Sequence, residues 1–325
     1  MAGPGSKASK RKKGKATVTT AEQKQQMAAE QESIRQRLAV IRHRILVLSG
    51  KGGVGKSSVA ANLALALAAR DKKVGLLDVD IHGPSIPRIL GLEGLPAALA
   101  QPQPAPAAGP AGTDRASALL QPLSASPNLR VMSMGFLLEN RETAVIWRGP
   151  MKYNVIKQFI KDVDWGELDY LVVDSPPGTG DEPLSVAQLL GTPARAVIVT
   201  TPQELSLSDV RRCITFCRQV QVPLLGIIEN MSGFVCPHCG ERTDIFKAGG
   251  GRELAREMQI PFLGQIPLDP RLVDAGDDGQ SYFERFRDTE TARSFETIVA
   301  AIVAAIEPAD GSATITPAAS GSCGT

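Results

Sequence analysis

Four short stretches carry residue types and spacings that could do chemistry. The first is GKGGVGKS at residues 50–57 of the 325-residue chain. It fits G-x-x-x-x-G-K-[ST], and it lies between an apolar run and a helical pattern, the setting a phosphate-binding loop requires. Gly50, Gly52, Gly53 and Gly55 let the backbone turn tightly, so that its N–H groups and the next helix N-terminus meet phosphate oxygens. Val54 and Ser58 belong to the same nucleotide-binding run. Lys56 is the cation for the β and γ phosphates, and the Ser57 hydroxyl is a magnesium ligand. The second and third stretches are LLDVDIHGPS and LVVDSPPGTGD, which end strand-like runs with Asp78, Asp80 and Asp174. Carboxylates at adjacent strand ends beside such a loop suit in-line attack on a magnesium-held phosphate. Asp174 is the carboxylate for magnesium, held directly or through water, and the PPGTG loop after it can sense the γ-phosphate. Asp78 is balanced between this chemistry and simple strand termination. The set predicts binding of ATP with magnesium, and its hydrolysis.

The fourth stretch is CPHCG. The chain has five cysteines: Cys213, Cys217, Cys236, Cys239 and Cys323. Cys236 and Cys239 can reach one metal centre. No second C-x-x-C follows, and a metal centre usually takes four protein ligands. Two chains, each giving Cys236 and Cys239, would supply four thiolates, so this arithmetic points to a homodimer. Soft thiolates suit zinc and iron–sulfur alike, and the ligands leave that choice open. Cys213 and Cys217 stand at i, i+4 in VRRCITFCRQV and read as buried core thiols. His238 reads as a solvent-facing loop residue.

The elements that must position these residues are visible as alternation. RILVLSG, KVGLLDVD, LRVMSMGF, LDYLVVDSPPG, ARAVIVTTP, VPLLGIIENM and FLGQIPLD are continuous apolar runs. Helical patterns such as SVAANLALALAAR, PMKYNVIKQFIKDV and SLSDVRRCITFCRQV separate them. This predicts an α/β fold, a mostly parallel sheet covered by helices on both faces. The expected division is a disordered basic arm over 1–20, a leading helix over 21–42, an ATPase domain over 43–307 and a disordered tail over 308–325. A Pro/Ala-rich insert at 96–127 reads as a flexible loop within the domain. With 43% apolar, 22% charged and 4% aromatic residues and a net charge of +2, the composition is that of an ordinary soluble protein. No run reaches the roughly 18–20 apolar residues of a membrane span, and no secretory leader is visible. The expectation is a cytoplasmic protein with no stable membrane or nucleic-acid partner. The lysine-rich arm reads as a solvated tail.

Lys51 stands inside the phosphate loop, at a position that a plain loop leaves free. With it, GKGGVGKS resembles the deviant Walker A loop of the MinD/Mrp/nitrogenase iron protein group. That resemblance implies that Lys51 acts in trans on a partner's nucleotide and that ATP closes a dimer. It implies that Asp80 orients the attacking water, that Asn230 in IIENMSG recognises adenine, and that IPLDP at 266–270 lines the far side of the base. Taken together, SGKGGVGKSSVAANLALALA, LLDVDIHGPSIPRILG, DSPPGTGDEPLS and IENMSGFVCPHCG resemble the Mrp/ApbC family of iron–sulfur cluster carrier ATPases, over about residues 41–305. The family implies a homodimer that holds a bridging [4Fe–4S] cluster through Cys236 and Cys239 and passes it to apoproteins with the help of ATP. Slow basal hydrolysis is expected of such a dimer-gated switch. The chain departs from the family in two places. It has no four-cysteine N-terminal motif of the eukaryotic cytosolic members, and no small N-terminal domain of the kind many bacterial members carry. Two alternatives stand beside this reading. One is a MinD/ParA-like positioning ATPase, which would share Lys51 but have no use for CPHC. The other is a dimeric ATPase clamped by a structural zinc site of four cysteines.

Overall fold

The computed structural model describes residues 20–80, 83–95, 98–99, 119–137, 149–236 and 238–307. Eight strands form the main sheet: β1 Ile41–Ser49, β2 Val74–Asp78, β3 Leu123–Ser126, β4 Leu129–Ser133, β5 Leu168–Asp174, β6 Ala194–Thr200, β7 Leu224–Glu229 and β8 Phe262–Gln265. In space they run β8-β7-β6-β1-β5-β2-β4-β3. Every neighbouring pair is parallel except β3 with β4.

The apolar runs form central strands because both faces of the sheet are covered. Along β1, side chains alternate between two cores. Ile45 and Val47 face one that includes α2 Lys56–Ala68 and α8 Glu290–Ile306, through Leu63, Leu67, Phe295 and Ile298. Leu46 and Leu48 face the other, with α1 Thr20–Ala39, α3 Gly149–Asp162 and α4 Asp181–Leu190, through Leu38, Phe159 and Leu190. A third cluster packs Ile198 and Ile227 against α5 Glu204–Gln219 and α6 Gly250–Glu257. Each fully buried Leu or Ile here contributes about 1.5–3 kcal/mol. α2 is buried nearly all round, and its many alanines allow the close approach to the sheet. One further helix, α7 Pro270–Asp277, sits at the edge of the first core.

Parallel pairing brings the strand ends together. Asp174 is level with both Val47 and Asp78, Ser49 with Val199, and Thr200 with Glu229. From β1 the chain passes through α2 to β2, on the β5 side, while β6 flanks β1 on the other. The strand order thus reverses at β1, and the crevice beyond its carboxyl end is where ligands bind in open α/β sheets.

Two stretches differ from the sequence expectation. The leading helix ends at Ala39, because Ile41 is already paired in register with Leu168. Within 96–127, Ala98–Leu99 pairs antiparallel with Leu120–Gln121, and β3 forms the edge of the main sheet. LSAS has little strand signal of its own; the hairpin back from β4 holds it there. Residues 100–118, the arm at 1–19 and the tail at 308–325 lie outside the described residues.

Candidate functional site

The phosphate loop leaves β1 at Ser49 and enters α2 at Lys56. Gly53 and Gly55 hold φ of +79° and +80°, the left-handed region that favours glycine. Gly55 is also packed closely: a Cβ there would lie 2.3 Å from Asn230 Nδ2. At Gly50 a Cβ would lie 2.5 Å from Asp209 Cβ on α5. Gly55 is the N-cap of α2 and brings no side chain to it, so the first N–H groups of α2 face the loop's interior.

Charge is concentrated at the strand ends. Lys56, only 6% exposed, places Nζ 2.5 Å from Asp174 Oδ1 and 3.9 Å from Asp80 Oδ2. Its Nζ also lies 3.4 Å from Ser57 Oγ. Asp174 is fully buried; burial pushes its carboxyl above the usual range, and Lys56 pulls against that shift. Asp174 Oδ2 and Ser175 Oγ are buried without a hydrogen-bond partner. An orphaned carboxylate oxygen near a hydroxyl and a second carboxylate is a hard-oxygen donor set, and it fits magnesium.

Asp78 is fully buried too. Burial first, and then the charge of Asp174, push it upward. Its Oδ2 accepts from Ser133 Oγ at 2.8 Å and its Oδ1 from the Asp80 N–H at 3.1 Å. Asp78 therefore holds the turn that carries Asp80.

Against the other side of the loop, Asn230 is 5% exposed. Its Nδ2 donates to Val54 O at 2.9 Å and its N–H to Thr200 O at 2.7 Å. Met231 has φ of +56°, a strained conformation for a residue with a side chain. A cavity of about 300 Å³ opens here, with Gly55, Ser58, Asn230, Pro267, Leu268 and Asp269 among its walls.

Two buried carboxylates organise these walls: Asp269, within the IPLDP stretch already singled out, and Glu229, which was not. Asp269 accepts from Tyr282 OH at 2.5 Å, from Thr291 Oγ1 at 2.9 Å and from Arg271. These donors hold its carboxyl below the usual range although burial opposes them. Glu229 accepts from Ser232 Oγ, Gln265 Nε2 and the N–H groups of Gly249 and Gly251 at the start of α6. The one available signal was an acid ending an apolar run, IIEN and IPLD.

The remaining candidates stand apart. Cys236 and Cys239 are at the tip of a short antiparallel hairpin, Phe234–Val235 with Arg242–Thr243. The turn is closed by Cys236 N–H to Glu241 O and Gly240 N–H to Cys236 O, both at 2.9 Å. Cys236 is half-buried; Cys239 and His238 are exposed. The N–H groups of Cys239 and His238 hold the Cys236 thiol below its usual range. Among the described residues, no group of three or more His, Cys, Asp or Glu could hold a metal ion. Cys213 and Cys217 lie in the core, where burial pushes each thiol up to about 12. Lys51 is half-buried and makes no side-chain hydrogen bond or ion pair among the described residues. The fold thus gathers the phosphate loop, Asp80, Asp174 and Asn230 at one edge, and carries the thiol pair on its own hairpin. A larger cavity of about 830 Å³ lies under α1 and α3 beside the start of β1, at the opposite edge of the sheet. No described helix is long and apolar enough to cross a membrane.

Residues 40–303 match the family model described as ParA: NUBPL iron-transfer P-loop NTPase. The chain is 49% identical over 271 residues to the cytosolic Fe-S cluster assembly factor NUBP2 homolog of Nematostella vectensis, covering 82% of this chain and 94% of that one. It is 45% identical over 289 residues to the iron-sulfur cluster carrier protein of Methanocaldococcus jannaschii, covering 89% and 93%. Among solved structures, the Archaeoglobus fulgidus nucleotide-binding protein in complex with ADP, in which cobalt was found, superposes with a TM-score of 0.64 at 41% identity, covering 81% of this chain and 98% of that one.

Proposed function

The chain belongs to the NUBPL iron-transfer P-loop NTPase family, and on that premise we propose that it is an ATP-dependent carrier of iron–sulfur clusters, holding its cargo at Cys236 and Cys239 and delivering it to apoproteins. One observation carries this reading. A buried lysine–carboxylate phosphate site and a surface pair of thiols, one half-buried and one exposed, with an incomplete ligand set among the described residues occur in the same chain. A positioning switch needs only the first. The names of the relatives support the cargo.

The roles follow from the geometry. One Asn230 amide hydrogen is spent on Val54 O. The second, with the Asn230 Oδ1 acceptor, complements the donor and acceptor on an adenine edge. Lys56 exchanges Asp174 for β and γ phosphate oxygens when the triphosphate is seated, and the α2 N-terminus meets the same charge. Ser57 and Asp174 are the residues to hold magnesium, which neutralises charge on the phosphates. Asp80, held through its backbone by Asp78, orients the attacking water. Lys51 reaches the nucleotide of a second copy, and closure of that dimer brings two hairpins together as a four-thiolate site. A homodimer, slow basal hydrolysis and a [4Fe–4S] cargo belong to this proposal. So does a cytosolic setting, supported by the name of the NUBP2 relative.

The test is transfer. Anaerobically reconstituted protein is mixed with an apo iron–sulfur enzyme, and recovery of that enzyme's activity is followed with and without ATP. The expectation is ATP-dependent recovery that Cys236→Ser abolishes. Tightly held zinc that survives reconstitution, with no recovery, would instead make the hairpin a structural clamp.

A further inference from the structure

The segment Asn230–Gly233 is fastened at both ends. At its start, the Asn230 side chain is bonded to Val54 O of the phosphate loop. Along its length it is zipped to the far wall of the base cavity: Ser232 N–H donates to Ile266 O at 2.9 Å, and Leu268 N–H to Gly233 O at 2.7 Å. At its end it meets Arg242, three residues beyond Cys239. Arg242 Nη2 donates to Ser232 O at 3.1 Å, and its Nη1 to Glu290 Oε1 at the start of α8, also at 3.1 Å. Its Nε lies 3.8 Å from Asp244 Oδ1. The guanidinium packs so closely on Gly233 that a Cβ there would lie 2.8 Å from Nε. Gly233 has φ of +76°, and Met231 stores strain at φ +56°.

We propose that Arg242 is the positioning residue through which nucleotide occupancy is felt by the Cys236–Cys239 pair, an inference that rests on reading those thiols as the cargo site. A base that engages the free amide hydrogen and Oδ1 of Asn230 loads a side chain already tied to Val54 O. A segment of four residues, strained at its second member, passes that load to Ser232 O. The Arg242 fork converts it into a tilt of the hairpin against the anchor at Glu290. Only a planar guanidinium holds both acceptors at once; a lysine offers a point charge without the fork. Because Arg242 is 44% exposed, its loss leaves the core untouched.

Cobalt(II) is the probe, read by the charge-transfer absorption that only thiolate-bound cobalt gives. Full-length dimer is titrated in excess magnesium, with and without a non-hydrolysable ATP analogue. In the unsubstituted protein the analogue is expected to change cobalt affinity by about fivefold or more, the lower end of usual coupling between sites. By linkage, cobalt changes analogue affinity by the same factor. In Arg242→Met both shifts fall below about twofold, while affinity for each ligand alone stays near that of the parent. Arg242→Lys behaves like Arg242→Met, and Glu290→Gln gives a partial loss. A full shift in Arg242→Met overturns the inference, as does a parent protein that binds cobalt through thiolates but shows no shift. A parent with no thiolate band at all removes the cargo reading, and this inference with it.

Discussion

The phosphate site and the thiol site are built in opposite ways. Lys56 and Asp174 meet at the carboxyl ends of β1, β5 and β2, at most 6% exposed, in a position fixed by sheet register. Cys236 and Cys239 ride on two strands of two residues each, at the surface, with backbone N–H groups as their support. The first site brings Lys56, Asp80 and Asp174 together within one chain, so it can be organised before its ligand arrives. The second offers two thiols and no third ligand among the described residues, and on the proposed reading its position at the surface is what lets another chain supply the rest. A carrier needs both: a rigid engine and an open hand-over point.

The largest expected effect that would sharpen this contrast is at Asp174. Asp174→Asn removes the nearer counter-charge of buried Lys56 and leaves, among the described residues, only Asp80 at 3.9 Å, at a cost of up to about 3–5 kcal/mol in chemical denaturation. ATP turnover falls by about a hundredfold or more. Cys236→Ser should do the reverse: thiolate-bound metal is lost entirely, while stability moves by less than about 0.5 kcal/mol. A hairpin variant that unfolds the domain would break the comparison.

Within the loop the same contrast appears at smaller scale. Gly55→Ala forces a left-handed residue against Asn230 and should cost about 1–2 kcal/mol, together with roughly tenfold or more in nucleotide affinity. Gly52→Ala meets no atom within 4 Å and should leave stability within about 0.5 kcal/mol. Denaturation and nucleotide titration of the pair check both.

The smallest effect is in pH. Cys213 and Cys217 stay protonated in the fold up to about 12, above the 9.0 of a free thiol. The folded state then binds more protons than the unfolded one. Their contribution to stability is present below pH 9.0 and is lost as pH rises toward about 12. Cys236 shifts downward, so alkylation at neutral pH should label the hairpin and spare the core. Equal labelling of all four would contradict the division between the two pairs.

Much of this was legible in the chain. Parallel buried strands read as unbroken apolar runs, and the phosphate loop is a local motif whose glycines fix its backbone. That Cys213 and Cys217 would be core thiols followed from helical spacing. What escaped was long-range. Leu123–Ser126 is a strand only because β4 turns back on it. Glu229 and Asp269 are single acids whose importance lies in donors drawn from segments up to 36 residues away. The link from Asn230 to Arg242 runs through backbone carbonyls and a close approach at Gly233, which no residue type announces.

The central claim is that one cargo is shared by two copies of the chain. Native mass spectrometry of anaerobically reconstituted protein tests it most directly. The account predicts a dimer carrying a single four-iron, four-sulfide cluster, which disappears with Cys239→Ser. A cluster bound to monomer, or a dimer carrying only zinc, would contradict it.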